Sequence, residues 1–206
     1  MSGDYCDVIP PTRENAGLMF LLGDVSGKGV AASLLMTHLH ATFRSLACMG
    51  LELSELLTIA NRIFCESTPP TMYATLACGR VAPDGELEIA SAGHLPGLLV
   101  SQSGVEQILA TGFPLGLFPA TQYTVHRVRL QHGDSLLLYT DGISEARDRS
   151  GNEFGIDGLS VAVSGLHGLS AEALVSACHE TVDQFSCRQR PSDDQTLMAV
   201  TYEGVL

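Results

Sequence analysis

The sequence predicts a fold of mixed helices and strands with local antiparallel pairing. Three observations carry that expectation: short apolar runs bounded by turn residues, longer stretches with apolar residues at helical spacing, and a Pro83-Asp84-Gly85 turn between two strand-like segments. Gly17 to Asp24 (GLMFLLGD) is a continuous apolar run that suits a strand buried on both faces, and it ends in a carboxylate. From Lys28 to Cys48, residues Val30, Leu34, Leu35, Leu39, Phe43 and Leu46 follow helical spacing and predict one core-facing stripe. A second helix is predicted over Ser54 to Phe64, with Leu56, Leu57, Ala60, Ile63 and Phe64 inward. Beyond Pro69-Pro70, Met72 to Val81 and Glu86 to Ala92 read as strands of a hairpin, since proline presets φ and glycine permits the turn.

Leu98 to Val100, Val105 to Leu109 and Tyr123 to Leu130 predict further strands, separated by Gly- and Pro-containing loops. Ser135 to Thr140 (SLLLYT) is apolar enough for a central strand, and it runs into Asp141-Gly142. Helical spacing returns over Ile156 to Leu166. It returns again from the N-cap Ser170 to Phe185, where Leu174, Cys178, Val182 and Phe185 share a face. Thr196 to Tyr202 is the last buried strand, preceded by Asp193-Asp194. There is no internal repeat, low-complexity tract or linker, so residues 1–206 read as a single domain.

Composition narrows the function. At 206 residues and 45% hydrophobic content the chain can bury one substantial core. Eleven Lys and Arg against 23 Asp and Glu give a formal charge of −12, which argues against a nucleic-acid groove or an anionic membrane as partner and favours concentrating cations. The six cysteines form no CxxC pair and no zinc spacing, so packing in a reducing compartment is their expected role. With no signal-like N-terminus and no apolar run of membrane-span length, a soluble, cytoplasmic protein is expected.

Three of the most apolar strands carry aspartate at an end: Asp24 and Asp141 at C-terminal ends, Asp193 and Asp194 just before an N-terminal end. Singly, each reads as a turn residue. If the last strand is antiparallel to the other two, all of them gather on one edge of the sheet, and the recurrence points to a site. Carboxylates about 4 Å apart repel by roughly 4 kcal/mol at an effective dielectric of 20, so protons or cations must enter. Oxygen ligands favour Mn²⁺ or Mg²⁺ over zinc. Two such ions about 4 Å apart suit hydrolysis of a phosphate ester by in-line attack of an activated water.

Five segments carry a specific resemblance: Ser2-Gly3-Asp4-Tyr5-Cys6-Asp7, Gly23-Asp24-Val25-Ser26-Gly27-Lys28-Gly29, Ser91-Ala92-Gly93-His94-Leu95-Pro96, Tyr139-Thr140-Asp141-Gly142-Ile143-Ser144-Glu145-Ala146 and Ser192-Asp193-Asp194-Gln195-Thr196. In this order they resemble the motifs of the metal-dependent protein phosphatase (PPM) superfamily, in its bacterial SpoIIE/RsbU-like branch. The resemblance implies an α+β sandwich of two mainly antiparallel sheets flanked by helices, with two divalent cations, Mn²⁺ or Mg²⁺, at one end. It implies that Asp24 bridges both ions, that Asp4 and the Val25 carbonyl complete one site, and that Asp141 and Asp193 complete the other. Asp24 and Asp141 would be central to catalysis. Asp194 follows the ligand position, and Asp7 would support the loop. The implied activity is hydrolysis of phosphoserine or phosphothreonine on a protein, such as an anti-sigma-factor antagonist, without a phospho-enzyme. The helix and strand that usually precede the first motif are missing, which implies a domain excised from a longer protein with an upstream sensor or receiver region. It also implies an open sheet edge that favours a dimer.

Several residues keep two readings. Gly23 to Gly29 is not a Walker A loop, because Leu22 and Gly29 stand where Gly and Ser or Thr are required; Gly27 and Gly29 instead ease a strand-to-helix turn. Lys28 either meets substrate phosphate or is a solvated helix-start lysine. His94 either acts as a general acid or orders a turn. Glu145 either reaches the site, is exposed, or pairs with Arg147. Gly112, Pro114, Leu115 and Gly116 read as a structured turn, and His38, His40, His126, His132, His167 and His179 show no ligand spacing. Two other functions remain in competition: a metal-binding regulatory module without turnover, and a hydrolase of small phosphoesters.

Overall fold

The structure, a computed structural model, describes residues 3–11, 17–27, 29–191 and 193–204; Ser2, Lys28 and Ser192 of the motifs lie outside the described residues. In chain order the first elements are β1 (Asp4–Ile9), β2 (Leu18–Val25), α1 (Val30–Ala47), α2 (Leu53–Ser67), β3 (Ala74–Val81) and β4 (Glu86–Ala92). There follow β5 (Gly97–Ser101), β6 (Gly104–Ile108), β7 (His126–Arg129), β8 (Ser135–Tyr139), α3 (Asp141–Ser144), α4 (Gly155–Val163), α5 (Ala171–Phe185) and β9 (Leu197–Thr201). Two sheets result, ordered β1-β2-β3-β4-β7 and β6-β5-β8-β9, and every neighbouring pair is antiparallel. The expected α+β class with two antiparallel sheets and helices is what forms. Among the described residues no helix is long and apolar enough to cross a membrane.

The chain divides into two compact units, Met1–His94 with Leu109–Arg129, and Leu95–Ile108 with Leu130–Leu206. In the first, Met19, Leu21 and Val25 of β2 join a core completed by Leu39 and Phe43 of α1, Leu56, Leu57 and Phe64 of α2, and Leu115 and Tyr123 of the β6–β7 connection. The predicted stripe of α1 needs correction. Ala32, Leu39, Phe43 and Leu46 are buried, whereas Val30 and Leu34 are 61% and 65% exposed. Both lie on the first two turns, on the arc opposite Ala32; the small Ala32, not the larger Val30, sets the phase of the buried face.

Strand β1 was not predicted, and its pattern explains why. Tyr5, Asp7 and Ile9 point inward and Cys6 and Val8 outward, so a carboxylate occupies the middle inward position. Asp7 is tolerated there because Arg44 of α1 donates from Nε to Oδ2 (2.8 Å) and from Nη2 to Oδ1, Tyr5 Oη donates to Oδ2 (3.2 Å), and His40 Nδ1 stands 3.4 Å from Oδ2. Burial pushes the Asp7 carboxyl up, but the Arg44 hydrogen bonds and charge, with Tyr5 and His40, outweigh it and hold Asp7 below the usual carboxylate range. Because the folded-state value is the lower one, the network stabilises the fold above about pH 4 and loses that contribution as pH falls through the folded-state value. Urea melts at descending pH should show a decline in stability below about pH 4, and Arg44→Ala should flatten it. An equal slope in wild type and variant would remove Asp7 from the acid response.

Helix α2 places Asn61, fully buried, among apolar residues. Its Oδ1 accepts from Gly116 N and its Nδ2 donates to Phe118 O, each at 2.9 Å. Asn61→Ala would leave both loop groups unpaired and is expected to cost about 1–3 kcal/mol, measurable by urea unfolding; a neutral variant would show that the loop finds other partners. The predicted β3–β4 hairpin forms as expected, with Gly85 at φ 87 and Ala82 N donating to Glu86 O at 2.8 Å.

In the second unit β8 is buried at every position, as its sequence required. Its Leu137 and Tyr139 pack with Leu98 and Val100 of β5, Leu159 and Val163 of α4, and Leu174, Cys178 and Val182 of α5. Ser170 caps α5 by accepting from Ala173 N at 3.2 Å.

Candidate active site

The first unit builds its part of the site as a row across three strands. Asp4 of β1 is the register partner of Asp24 in β2, and Asp24 is in turn the partner of Thr75 in β3. Directly opposed residues of antiparallel strands project to the same face, so the three side chains share one side of the sheet at its end. Both aspartates are partly buried. Val25 N donates to Gly3 O at 3.2 Å, which draws Gly3 against the end of β2. A Cβ built on Gly3 would stand 3.0 Å from both Asp24 Oδ1 and Val25 O, so the missing side chain keeps open a cradle beside two oxygens. The following residue is clamped: Ser26 N donates to Tyr73 O (2.8 Å) and Ser26 Oγ accepts from Tyr73 N (2.9 Å). Gly27 and Gly29 then take φ of 94 and 82, left-handed values that turn the chain into α1.

Thr75 is a residue that sequence reasoning missed. Its Oγ1 lies 2.9 Å from His94 Nδ1, while His94 N donates to Ser91 Oγ at 3.2 Å. His94 is buried, and Gly93 before it has φ 65 with Pro114 where a Cβ would go. The histidine thus orders the turn after β4 and is tied through Thr75 to the Asp4–Asp24 row. Asp7 stands outside the row, against α1.

In the second unit the β8–β9 pairing extends past both strands. Thr140 N donates to Thr196 O (3.1 Å) and Thr196 N donates to Thr140 Oγ1 (3.0 Å). Asp141 opens α3, and Gln195 Nε2 reaches across to Gly142 O at 2.9 Å. A Cβ on Gly142 would lie 2.0 Å from Asp194 O, so only glycine lets these segments press together. Asp194 N donates to Asp193 Oδ1 at 3.0 Å, fixing the acidic pair as a turn; both residues are exposed. Glu145 is also exposed, and Arg147 pairs with Glu153 (2.6 Å) instead of Glu145.

The expectation of one sheet edge is therefore corrected. Asp4 and Asp24 end strands of the five-stranded sheet; Asp141, Asp193 and Asp194 belong to the four-stranded one. Among the described residues no three His, Cys, Asp or Glu side chains group as a metal site, while Asp24 Oδ1 and the Val25 carbonyl both lie 3.0 Å from the Cβ position of Gly3. The candidate ligand atoms are all oxygen, and the Gly3 cradle leaves room beside Asp24 Oδ1 and Val25 O. That chemistry fits a hard divalent cation and not zinc.

Comparison with known proteins gives a consistent result. Residues 14–203 match the family model described as stage II sporulation protein E (SpoIIE). The phosphoserine phosphatase RsbU of Bacillus subtilis is 30% identical over 154 residues, 73% of this chain and 45% of RsbU. The chain spans less than half the length of the curated relatives it matches. The RsbU and RsbW domains of Rv1364c from Mycobacterium tuberculosis superpose with a TM-score of 0.77 at 29% identity, over 99% of this chain and 57% of that one. The PP2C phosphatase domain of SpoIIE from Bacillus subtilis, with a fragment of its regulatory domain, gives 0.85 at 20% identity over 98% and 58%, a likeness of fold.

Proposed function

The chain belongs to the SpoIIE family, within the PPM phosphatases, and on that premise we propose that it hydrolyses phosphoserine or phosphothreonine on a protein substrate. The observation that carries this reading is the Asp4–Asp24–Thr75 row beside the Val25 carbonyl. Asp4, Asp24 and Val25 O in the first unit, with Asp141 and Asp193 in the second, are the oxygen ligands proposed for two Mn²⁺ or Mg²⁺ ions. Such ions, when bound, neutralise the carboxylates, polarise phosphate oxygens and lower the pKa of water. The chain's own residues hold this arrangement in place. The Ser26–Tyr73 clamp fixes the direction of the Val25 carbonyl, Thr75 and His94 brace the end of β3, and Gly142 seats the Asp193-Asp194 turn. The substrate is proposed to be a small regulatory phosphoprotein of the anti-sigma-factor antagonist kind, as the SpoIIE/RsbU-like resemblance implies; the relative's name supports the phosphoserine part of that reading.

The test is hydrolysis of p-nitrophenyl phosphate and of a phosphoserine peptide by the purified chain, with and without Mn²⁺. Metal-dependent turnover of both is expected. No turnover at any metal concentration in a folded sample would overturn the activity. Saturating Mn²⁺ should also stabilise the chain, by about 2.7 kcal/mol at a hundred times its Kd, and an unmoved melting curve would remove the metal ligands from the reading.

A further inference from the structure

In the second unit α5 leads into the Asp193-Asp194 turn through a strained backbone. Cys187 N donates to Gln184 O (3.1 Å) and Arg188 N donates to Asp183 O (2.8 Å), the paired bonds of a Schellman cap. The left-handed position of that cap, which glycine ordinarily fills, holds Cys187 at φ 53, and Arg188 follows at φ 55. Among the described residues these are the non-glycine positions with positive φ, and each costs about 1–2 kcal/mol against the right-handed region. Gln189 N donates to Ser186 O at 3.1 Å, so backbone bonds close the turn as far as residue 189. Strain of this kind gathers where function requires side chains in set places.

Arg188 and Arg190 stand exposed on this turn. The chain holds 23 acidic residues against 11 basic ones, and Arg44, Arg127, Arg129 and Arg147 each pair with a carboxylate while Arg80 donates to Leu51 O. Among the described residues Arg188 and Arg190 have no such partner. The end of α5 does not occupy them either, because backbone N–H groups already cap Asp183 O and Gln184 O. Only Pro191 and Ser192 separate Arg190 from Asp193. The Cα of Arg190 therefore lies within about 11 Å of that of Asp193, and the Cα of Arg188 within about 18 Å.

We propose that Arg188 and Arg190 are specificity-determining residues that pair with acidic side chains flanking the phosphoserine of the substrate. This role presupposes the phosphatase activity and deepens it by naming the sequence context the site selects. A chain of net charge −12 repels an acidic segment over most of its surface. Two unpaired guanidiniums beside the Asp193-Asp194 turn offer that segment planar donor forks that match carboxylates. The cations proposed at Asp141 and Asp193 balance the charge of the phosphoryl group, which leaves the guanidiniums to the residues around it.

The test uses phosphoserine peptides of equal length whose flanking positions carry glutamate, glutamine or lysine. Phosphate release with Mn²⁺ is followed on the wild-type chain, on Arg188→Gln/Arg190→Gln, and on Arg62→Gln/Arg149→Gln, whose exposed arginines give the same change of charge elsewhere. The wild type should favour the glutamate peptide. Arg188→Gln/Arg190→Gln should raise KM for that peptide by about tenfold with kcat retained, and the Arg62/Arg149 variant should keep the wild-type preference. Arg190→Gln alone leaves the strained position untouched and should give an intermediate KM. Arg188→Glu/Arg190→Glu should move the preference to the lysine peptide. A wild type indifferent to the flanks, or equal losses in the two double glutamine variants, would overturn the proposal. A loss on the glutamine peptide as large as on the glutamate peptide would also overturn it, by assigning the arginines to the phosphoryl group. Fluorescence anisotropy of the same peptides on the metal-free chain separates this role from the activity. Flank-dependent binding that Arg188→Gln/Arg190→Gln abolishes supports the arginine role even where no phosphate is released. Phosphate release with flank-independent binding and KM would overturn the arginine role and leave the phosphatase standing.

Discussion

Asp24→Asn is expected to lower Mn²⁺-dependent hydrolysis of p-nitrophenyl phosphate by at least about a hundredfold, more than any other single aspartate change. The two side chains are nearly the same size, so the substitution removes charge and ligand strength while preserving shape. Asp4 and Asp24 are direct cross-strand partners, and like charges placed opposite each other are destabilising by about 0.2–1 kcal/mol. In the variant this repulsion is relieved, and the stabilisation by Mn²⁺ should shrink or vanish. That combination separates a lost ligand from a damaged fold. An Asp24→Asn variant with wild-type turnover would contradict the central role given to this residue, and one that melts several degrees lower without metal would show that Asp24 is structural.

Gly142→Ala is expected to act with similar force through the backbone. The added carbon would lie 2.0 Å from Asp194 O, far inside van der Waals contact, and no flexible side chain is there to yield. Either the Thr140–Gly142 segment or the Asp193-Asp194 turn must move by about 1 Å, a displacement that costs on the order of a hundredfold in rate when it misplaces reacting groups. Stability should fall by about 1–3 kcal/mol, because the Gln195–Gly142 hydrogen bond at the end of the β8–β9 ladder is strained with it. The readouts are kcat on p-nitrophenyl phosphate and a urea melt. Normal kcat with reduced stability would detach the Asp193-Asp194 turn from catalysis and leave Gly142 a packing residue.

The parts of the site legible in the sequence are those that local chemistry marks. Asp24 and Asp141 stand at the ends of apolar runs whose burial is plain from composition, and the Gly27 and Gly29 turn declares itself through glycine at left-handed φ. Thr75 and Asn61 carry no such mark. Thr75 matters only because β3 pairs with β2 in a register that sets it opposite Asp24, and Asn61 only because a loop 55 residues away returns to α2. Strand β1 was hidden by Asp7, whose inward position makes sense only once Arg44, 37 residues later, is known to reach it.

The sequence by itself determined the types of most elements, because helical spacing, strand burial and turn chemistry are local and repeat within a few residues; β1 and the short α3 are the exceptions. It also determined that aspartates punctuate the core strands. The tertiary structure decided which strands are neighbours. The orders β1-β2-β3-β4-β7 and β6-β5-β8-β9 send β5 and β6 away from β4 and β7 into a second sheet, so the aspartates expected on one sheet edge are divided between the strands of two sheets. It also decided the phase of α1, leaving Val30 and Leu34 outside the core. Both decisions rest on long-range pairing and packing, where a one-residue change of register or phase reverses which side chains face inward.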